Sequence, residues 1–212
     1  MVSNTPSQVL DTEGNVIAKF GTNKNTKNIS INEMPDNLKN AYISIEDQRF
    51  YKHSGVDFPR TAAAIFSYIR NLGSSSFGGS SITQQLVKNL TGDNSSKISR
   101  KINEWIKAFA LEDVLDKDEI LESYLNIIYV GPNLYGVEMG ANYYFNKSVT
   151  ELNLAECAFL AGINNSPNSY NPFDDKKDNS EKIEKRTKTV LAKMLELKYI
   201  NDYINSTSEK NK

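Results

Sequence analysis

Three groups of side chains in this sequence have the types and spacing to do chemistry. The first is the run Glu46-Asp47-Gln48-Arg49-Phe50-Tyr51-Lys52-His53-Ser54-Gly55, which holds an acidic pair, basic residues and the only histidine. Leu38, Ala41, Tyr42 and Ile45 precede it at i, i+3, i+4 and i+7, so Glu46 falls where an apolar helical face gives way to a polar loop. A half-desolvated carboxylate suits general-base work there, although a solvated helix end crowds the same residue types together. The second group is Gly79-Ser80-Ser81-Ile82-Thr83-Gln84-Gln85-Leu86-Val87-Lys88-Asn89, in which Ser81 and Gln84 have the spacing of a capping box. A helix starting here offers free N–H groups, hydroxyls, two amides and Lys88 to phosphate oxygens, or is simply a polar cap.

The third group, Lys97, Arg100, Lys101 and Glu104, lies at i, i+3, i+4 and i+7 on a helix whose other stripe is Ile98, Ile102, Trp105 and Phe109. This spacing predicts a core face and a charged face. Three cations against one carboxylate suit a polyanion such as a pyrophosphate, with Glu104 positioning the cations or helping to hold a divalent metal. Intrahelical pairing on a solvent face is the alternative. His53 reads as a structural hydrogen-bonding group, because one histidine and one cysteine, Cys157, cannot assemble a usual zinc site.

The elements that must position these groups are mostly helical. Val9-Leu10-Asp11 and Val16 to Phe20 flank a glycine-containing turn and predict a short hairpin, and little else looks like sheet. Pro35 opens the helix that ends at Glu46. Asp57 and Pro59 start another, with Ala62, Ile65, Phe66 and Ile69 on one face, which runs to about residue 72. The glycine- and serine-rich run 73–79 reads as a mobile loop, a lid or a plain connector. Asp116 to Asn126 predicts a scaffold helix with Ile120, Leu121, Tyr124 and Leu125 inward, and Glu122 and Asn126 one turn apart. Gly131-Pro132-Asn133 turns the chain, Leu134 to Phe145 places its tyrosines in the core, and Asn153 to Leu160 with Gly162 forms a buried helix. Ile183, Val190, Leu191, Met194 and Leu195 mark a last amphipathic helix. Residues 1–7 and 206–212 read as disordered ends around one domain of 8–205.

With 212 residues, 39% of them hydrophobic and 24% charged, the chain can build a sizeable core. A formal net charge of -1 argues against nucleic acid as a partner and requires any anion affinity to come from a local cluster. Cys157 lies in an apolar run and fills core. No run of about eighteen apolar residues exists and the first residues are polar, so the sequence reads as a piece without span or signal peptide.

Taken in order, these stretches resemble the motifs of the peptidoglycan glycosyltransferase family, which includes monofunctional enzymes and domains of bifunctional class A penicillin-binding proteins. Glu46-Asp47, Phe50, His53 and Gly55 resemble the first motif, Gly79 to Gln85 with Lys88-Asn89 the second, and Arg100-Lys101 with Glu104 the third. Ile120-Leu121-Glu122 with Tyr124-Leu125-Asn126 resembles the fourth. Leu160-Ala161-Gly162 with Pro167 and Tyr170-Asn171-Pro172 resembles the fifth. Ser81 stands where the family usually has threonine, and Ile163-Asn164-Asn165-Ser166 where a proline-containing segment is common.

The resemblance implies a lysozyme-like helical head and a smaller membrane-facing jaw lobe at about 57–80. It implies polymerisation of lipid II into β-1,4-linked glycan with inversion and release of a lipid pyrophosphate. Glu46 is then the general base, and Glu104 organises Lys88, Arg100 and Lys101, with Mg²⁺ or Mn²⁺ as cofactor. Asp47, Ser80, Thr83, Gln84, Gln85 and Asn126 join them as substrate-binding positions. The implied partners are lipid II, the lipid-linked growing chain, the membrane surface and the inhibitor moenomycin, at the extracytoplasmic face of the bacterial cytoplasmic membrane. Two rival readings are a lysozyme-like hydrolase, since two carboxylates across a sugar cleft can equally cleave, and a non-catalytic lipid II- or glycan-binding module.

Overall fold

Helix dominates the backbone, because apolar residues recur along most of the chain at three and four positions rather than two. The computed structural model describes residues 7–10, 16–20, 27–71, 78–92 and 98–201. In chain order the elements are β1 (Ser7–Leu10), β2 (Val16–Phe20), α1 (Asp36–Glu46), α2 (Phe58–Arg70), α3 (Ile82–Thr91), α4 (Ile98–Glu112) and α5 (Lys117–Ile127). Then come β3 (Tyr129–Gly131), β4 (Leu134–Tyr135), α6 (Val137–Phe145), α7 (Leu154–Ile163) and α8 (Ser180–Glu196). Short 3-10 turns lie at Phe50–Lys52 and Val149–Glu151. The chain divides into one unit of Met1–Lys24 with Arg49–Ile127 and a second of Asn25–Gln48 with Ile128–Lys212.

In the first unit β1 pairs antiparallel with β2, Ser7 opposite Phe20 and Gln8 opposite Lys19, with an irregularity between Val9 and Leu10. The linking residues 11–15, the glycine- and serine-rich run up to Phe77, Lys97, and the expected disordered ends apart from Ser7 lie outside the described residues. Helix α3 packs on both α4 and α5, and Phe50, Ile82, Leu86, Ala108, Leu111, Ile120, Leu121, Tyr124 and Leu125 form a fully buried core. The inward set expected for α5 is therefore the observed one, and Asp116 and Glu119 exchange the two hydrogen bonds of a capping box at its start.

The faces of α4 depart from the expected pattern. Ile102 is 50% exposed and Phe109 36%, whereas Glu104 is only 4% exposed and shares the inward face with Ala108 and Leu111. Hydrophobic spacing alone assigns the wrong stripe, because Glu104 brings its own compensating charges and can be buried. The matching face of α2 is also open, with Phe66 67% and Ile69 69% exposed. Phe58 stacks at 6.2 Å on Phe109 and meets Trp105 edge-on at 6.0 Å.

Gly55 joins three parts of this unit. Its φ of +90° is a conformation that L side chains avoid, and a Cβ there would lie 2.8 Å from the carbonyl oxygen of Ala108. Its own carbonyl accepts the Ser81 hydroxyl. Gly55→Ala must therefore push α4 away while adopting a strained φ, and we expect a loss of about 3 kcal/mol or more. Urea denaturation should show a lower midpoint at unchanged slope. An unchanged midpoint would show that the backbone yields without cost.

In the second unit α1 lies along α7 and α8, and α7 packs on α8 and α6. Leu38, Ala41, Tyr42, Ala158, Leu160, Ala161, Val190 and Met194 are buried among these helices. Cys157 is buried, and burial pushes its thiol up to about 12, so it is an inert core filler as expected. The pair β3–β4 was not expected. Strands of three and two residues carry no usable alternation, and what forms them is the turn, where Asn133 takes the left-handed φ of 57°. Among the tyrosines of this stretch Tyr144 is buried and donates to the Val130 carbonyl at 2.8 Å, but Tyr143 is 43% exposed. Glu138, overlooked in the sequence, is a buried anchor that accepts from Lys27 Nζ, Asn142 Nδ2 and the Val149 N–H.

Candidate active site

The anion-facing groups of the first unit follow from one helix start. Ser81 Oγ accepts the Gln84 N–H at 3.1 Å and Gln84 Oε1 accepts the Ser81 N–H at 3.0 Å, which closes the capping box. With its oxygen committed, Gln84 presents Nε2 and donates to Glu104 Oε1 at 3.1 Å. Arg100, one turn earlier on α4, donates to Glu104 Oε2 at 2.5 Å, and Lys101 donates to Glu104 Oε1. Lys101 Nζ also reaches Ser80 Oγ at 2.8 Å. One buried carboxylate thus fixes two cations and leaves a net positive charge, which is the charge-assisted arrangement that anion binding needs.

Two openings border this cluster. The first is lined by Val87, Lys88, Thr91, Arg100, Asn103, Glu104 and Lys107. Lys107 was missed in the sequence, yet it lies seven positions after Arg100 and continues the same stripe. The second opening is lined by Thr61, Ala64, Ile65, Gly79, Ser80, Lys101 and Trp105. Trp105 Nε1 is buried there with no hydrogen-bond partner among the described residues.

Other expected site residues face elsewhere. Thr83 donates to Glu112 Oε1 at 2.6 Å, an oxygen that also holds Lys117 Nζ at 2.7 Å. Gln85 Oε1 accepts the Tyr124 hydroxyl at 3.2 Å, and Asn126 is buried on α5. In the remainder of the first motif, Arg49 grips Asp57 with two hydrogen bonds of 3.0 and 2.9 Å while Asp57 caps α2 through the Arg60 N–H. Burial acts to raise the Asp57 carboxyl, but the Arg60 N–H and the Arg49 guanidinium outweigh it and hold the group below its usual range. His53 sits edge-on to Phe50 at 6.3 Å.

Glu46 and Asp47 belong to the second unit. Glu46 is the last residue of α1 and is half-buried, as its place at the end of an apolar face requires. Asn164 Nδ2 donates to its Oε1 at 3.1 Å. Asp47 is fully buried, and its N–H closes α1 on the Ile43 carbonyl at 2.9 Å.

A divalent metal on Glu104 does not fit this donor set. Its oxygens already accept from Gln84, Arg100 and Lys101, and an ion seated there would displace a cation held at contact distance.

Comparison with known proteins bears on what the cluster serves. The family model for transglycosylases matches residues 13–195. The chain is 44% identical over 215 residues to Penicillin-binding protein 1A of Clostridium novyi, covering 96% of this chain and 25% of that protein. It is 45% identical over 204 residues to Penicillin-binding protein 1A of Clostridium botulinum, covering 93% of this chain and 25% of that protein. The crystal structure of Penicillin-binding protein 1A from Haemophilus influenzae matches with a TM-score of 0.47 and 23% identity, over 95% of this chain and 19% of that one. The chain spans about a quarter of the length of the curated relatives it matches. A family model covering most of the sequence, with relatives above 40% identity, settles the kinship: the chain belongs to the transglycosylase family, the peptidoglycan glycosyltransferases that its motifs resemble.

Proposed function

We propose that this domain polymerises lipid II into β-1,4-linked glycan, with inversion at the anomeric carbon and release of undecaprenyl pyrophosphate. The observation that carries the reading is the pair Arg100 and Lys101 held on buried Glu104, beside an opening that Lys88 and Lys107 also line. A leaving pyrophosphate needs positive charge more than it needs a proton, whereas hydrolysis of a neutral glycan needs a proton on the leaving sugar oxygen and no cation cluster. Glu46 acts as the general base. It takes the proton from the acceptor's sugar hydroxyl as that oxygen attacks the anomeric carbon of the lipid-linked chain, and the C–O bond to pyrophosphate breaks. Asp47, Ser80, Thr83, Gln84, Gln85 and Asn126 stay in the proposal as substrate-side or supporting positions. A divalent cation such as Mg²⁺ or Mn²⁺ would add charge compensation at the pyrophosphate oxygens, and no step here depends on it.

The substrate is amphipathic, and so are the openings in the first unit. The opening of Ala64, Ile65 and Trp105 also takes in Lys101, which suits an apolar chain bearing an anionic head, and moenomycin would exploit the same chemistry. We assign the jaw lobe to about 57–80 within a lysozyme-like domain of 8–205, and give its open face of Phe66 and Ile69 to the membrane surface. No helix among the described residues is long and apolar enough to cross a membrane; the exposed side chains of Phe66 and Ile69 suit interfacial contact. We assign the domain to the extracytoplasmic face of the bacterial cytoplasmic membrane, a reading that kinship with the penicillin-binding proteins supports.

The test is polymerisation of labelled lipid II in detergent. Glycan chains are the expected product. Cleavage of purified peptidoglycan without lipid II turnover would install the hydrolase, and binding without product would install the binding module. For the membrane face, Phe66→Ser with Ile69→Ser should reduce cosedimentation with phosphatidylglycerol vesicles at least about tenfold, since each side chain loses over a kcal/mol of burial. Unchanged cosedimentation would remove that role.

A further inference from the structure

Glu46 and Asn164 are the upper rung of a two-rung ladder between α1 and α7. The lower rung is Tyr42, whose hydroxyl donates to the Leu160 carbonyl at 3.1 Å in a fully buried contact. Tyr42 and Glu46 are four residues apart on α1, and Leu160 and Asn164 are four apart along α7 and its C-cap, so both rungs lie on one pair of facing stripes. The lower rung is locked. Burial first, and the Glu46 charge second, hold the Tyr42 hydroxyl well above its usual range, so it remains a protonated donor. The Leu160 carbonyl belongs to the last turn of α7, where a side-chain donor helps to complete the carbonyl's pairing.

The end of α7 is pinned from a third side as well. Arg186 on α8 donates from Nε to the Gly162 carbonyl at 3.1 Å, and a Cβ on Gly162 would lie 3.2 Å from the Arg186 side chain. Beyond Asn164 the backbone is tied in successive turns, Ser166 N–H to Ile163 and Tyr170 N–H to Ser166. Asn164 therefore carries its amide on backbone that packing has already placed. A glutamate's last torsion is broad when left alone, and a fixed donor 3.1 Å from Oε1 selects one orientation of the carboxylate.

We propose that Asn164 is a positioning residue for Glu46, aiming the carboxylate at the hydroxyl it deprotonates. This rests on the reading of Glu46 as the general base. The segment 163–166, where this chain departs from the proline-containing pattern common in the family, thereby contributes a donor that proline cannot supply. Misaligned bases lose rate and leave substrate binding intact, so the loss belongs in kcat.

The experiment compares lipid II polymerisation by wild type, Asn164→Ala, Glu46→Gln and the double variant, with the thermal midpoint of each. Asn164→Ala should lower kcat about tenfold, with KM within about twofold and the midpoint nearly unmoved. In the Glu46→Gln background the same change should alter the residual rate less than about twofold, because a residue acting through the carboxylate has nothing left to aim. Where Glu46→Gln gives no measurable product, Glu46→Asp, whose shorter carboxylate withdraws from Asn164, serves as the background. Equal losses in both backgrounds, a loss carried by KM, or wild-type kcat in Asn164→Ala would overturn the proposal. Full activity of Glu46→Gln is a separate result and would instead remove the base itself.

Discussion

Glu46→Gln is expected to lower kcat for lipid II polymerisation by about 10²- to 10⁴-fold, the range that a positioned general base contributes. The substitution keeps size and shape and removes only the capacity to accept the proton. Glu46 is half-buried at the end of α1, and the helix itself is held by Leu38, Ala41 and Tyr42, so the fold has little reason to change. Retained binding of lipid II and a retained thermal midpoint, beside the lost rate, would identify a chemical defect. A rate within about threefold of wild type would show that another group takes the proton.

Glu104→Gln should cost both stability and rate. Removing one partner of a buried ion pair strands the other, which typically costs about 3–5 kcal/mol. Here two cations lose their common anion, although both side chains are partly exposed, at 20% and 31%, and water recovers some of the loss. About 3 kcal/mol is therefore the better expectation, a fall in melting midpoint of roughly 6–12 °C for a chain of this size. The released Arg100 and Lys101 would spread into solvent and no longer present charge at a fixed point, so kcat should also fall, by at least about tenfold. Arg100→Ala separates the two effects. It leaves the Lys101–Glu104 pair in place and should lose rate with a smaller change in midpoint. If Glu104→Gln kept both its midpoint and its rate, the carboxylate would be neither a structural counter-charge nor an organiser of the anion site.

Sequence reasoning succeeded where the deciding interactions are local. Ser81 and Gln84 lie three residues apart, and their hydrogen bonds form wherever the helix begins. Asp57 likewise caps α2 through a residue three positions on. The i, i+4 pairing of Arg100 with Glu104 is a property of one helix, so the cation cluster could be assembled on paper before its surroundings were known. Glu46 at the end of α1 followed from the apolar face behind it.

The sequence by itself therefore determined the helical class, the capped helix starts and the spacing that brings Arg100 and Lys101 to Glu104, because each depends on neighbours within about seven positions. Only the tertiary structure decided which stripe of α4 turns inward. That choice depends on Gln84 arriving from another helix to complete the burial of Glu104, while Ile102 and Ile106 stay open to solvent. Tertiary structure also decided that Thr83 faces Glu112, that Glu138 gathers donors from residue 27 to residue 149, and that Asn164 meets Glu46 across 118 positions. Such contacts leave no periodic trace, since side chains far apart in sequence meet only after the helices that carry them have packed.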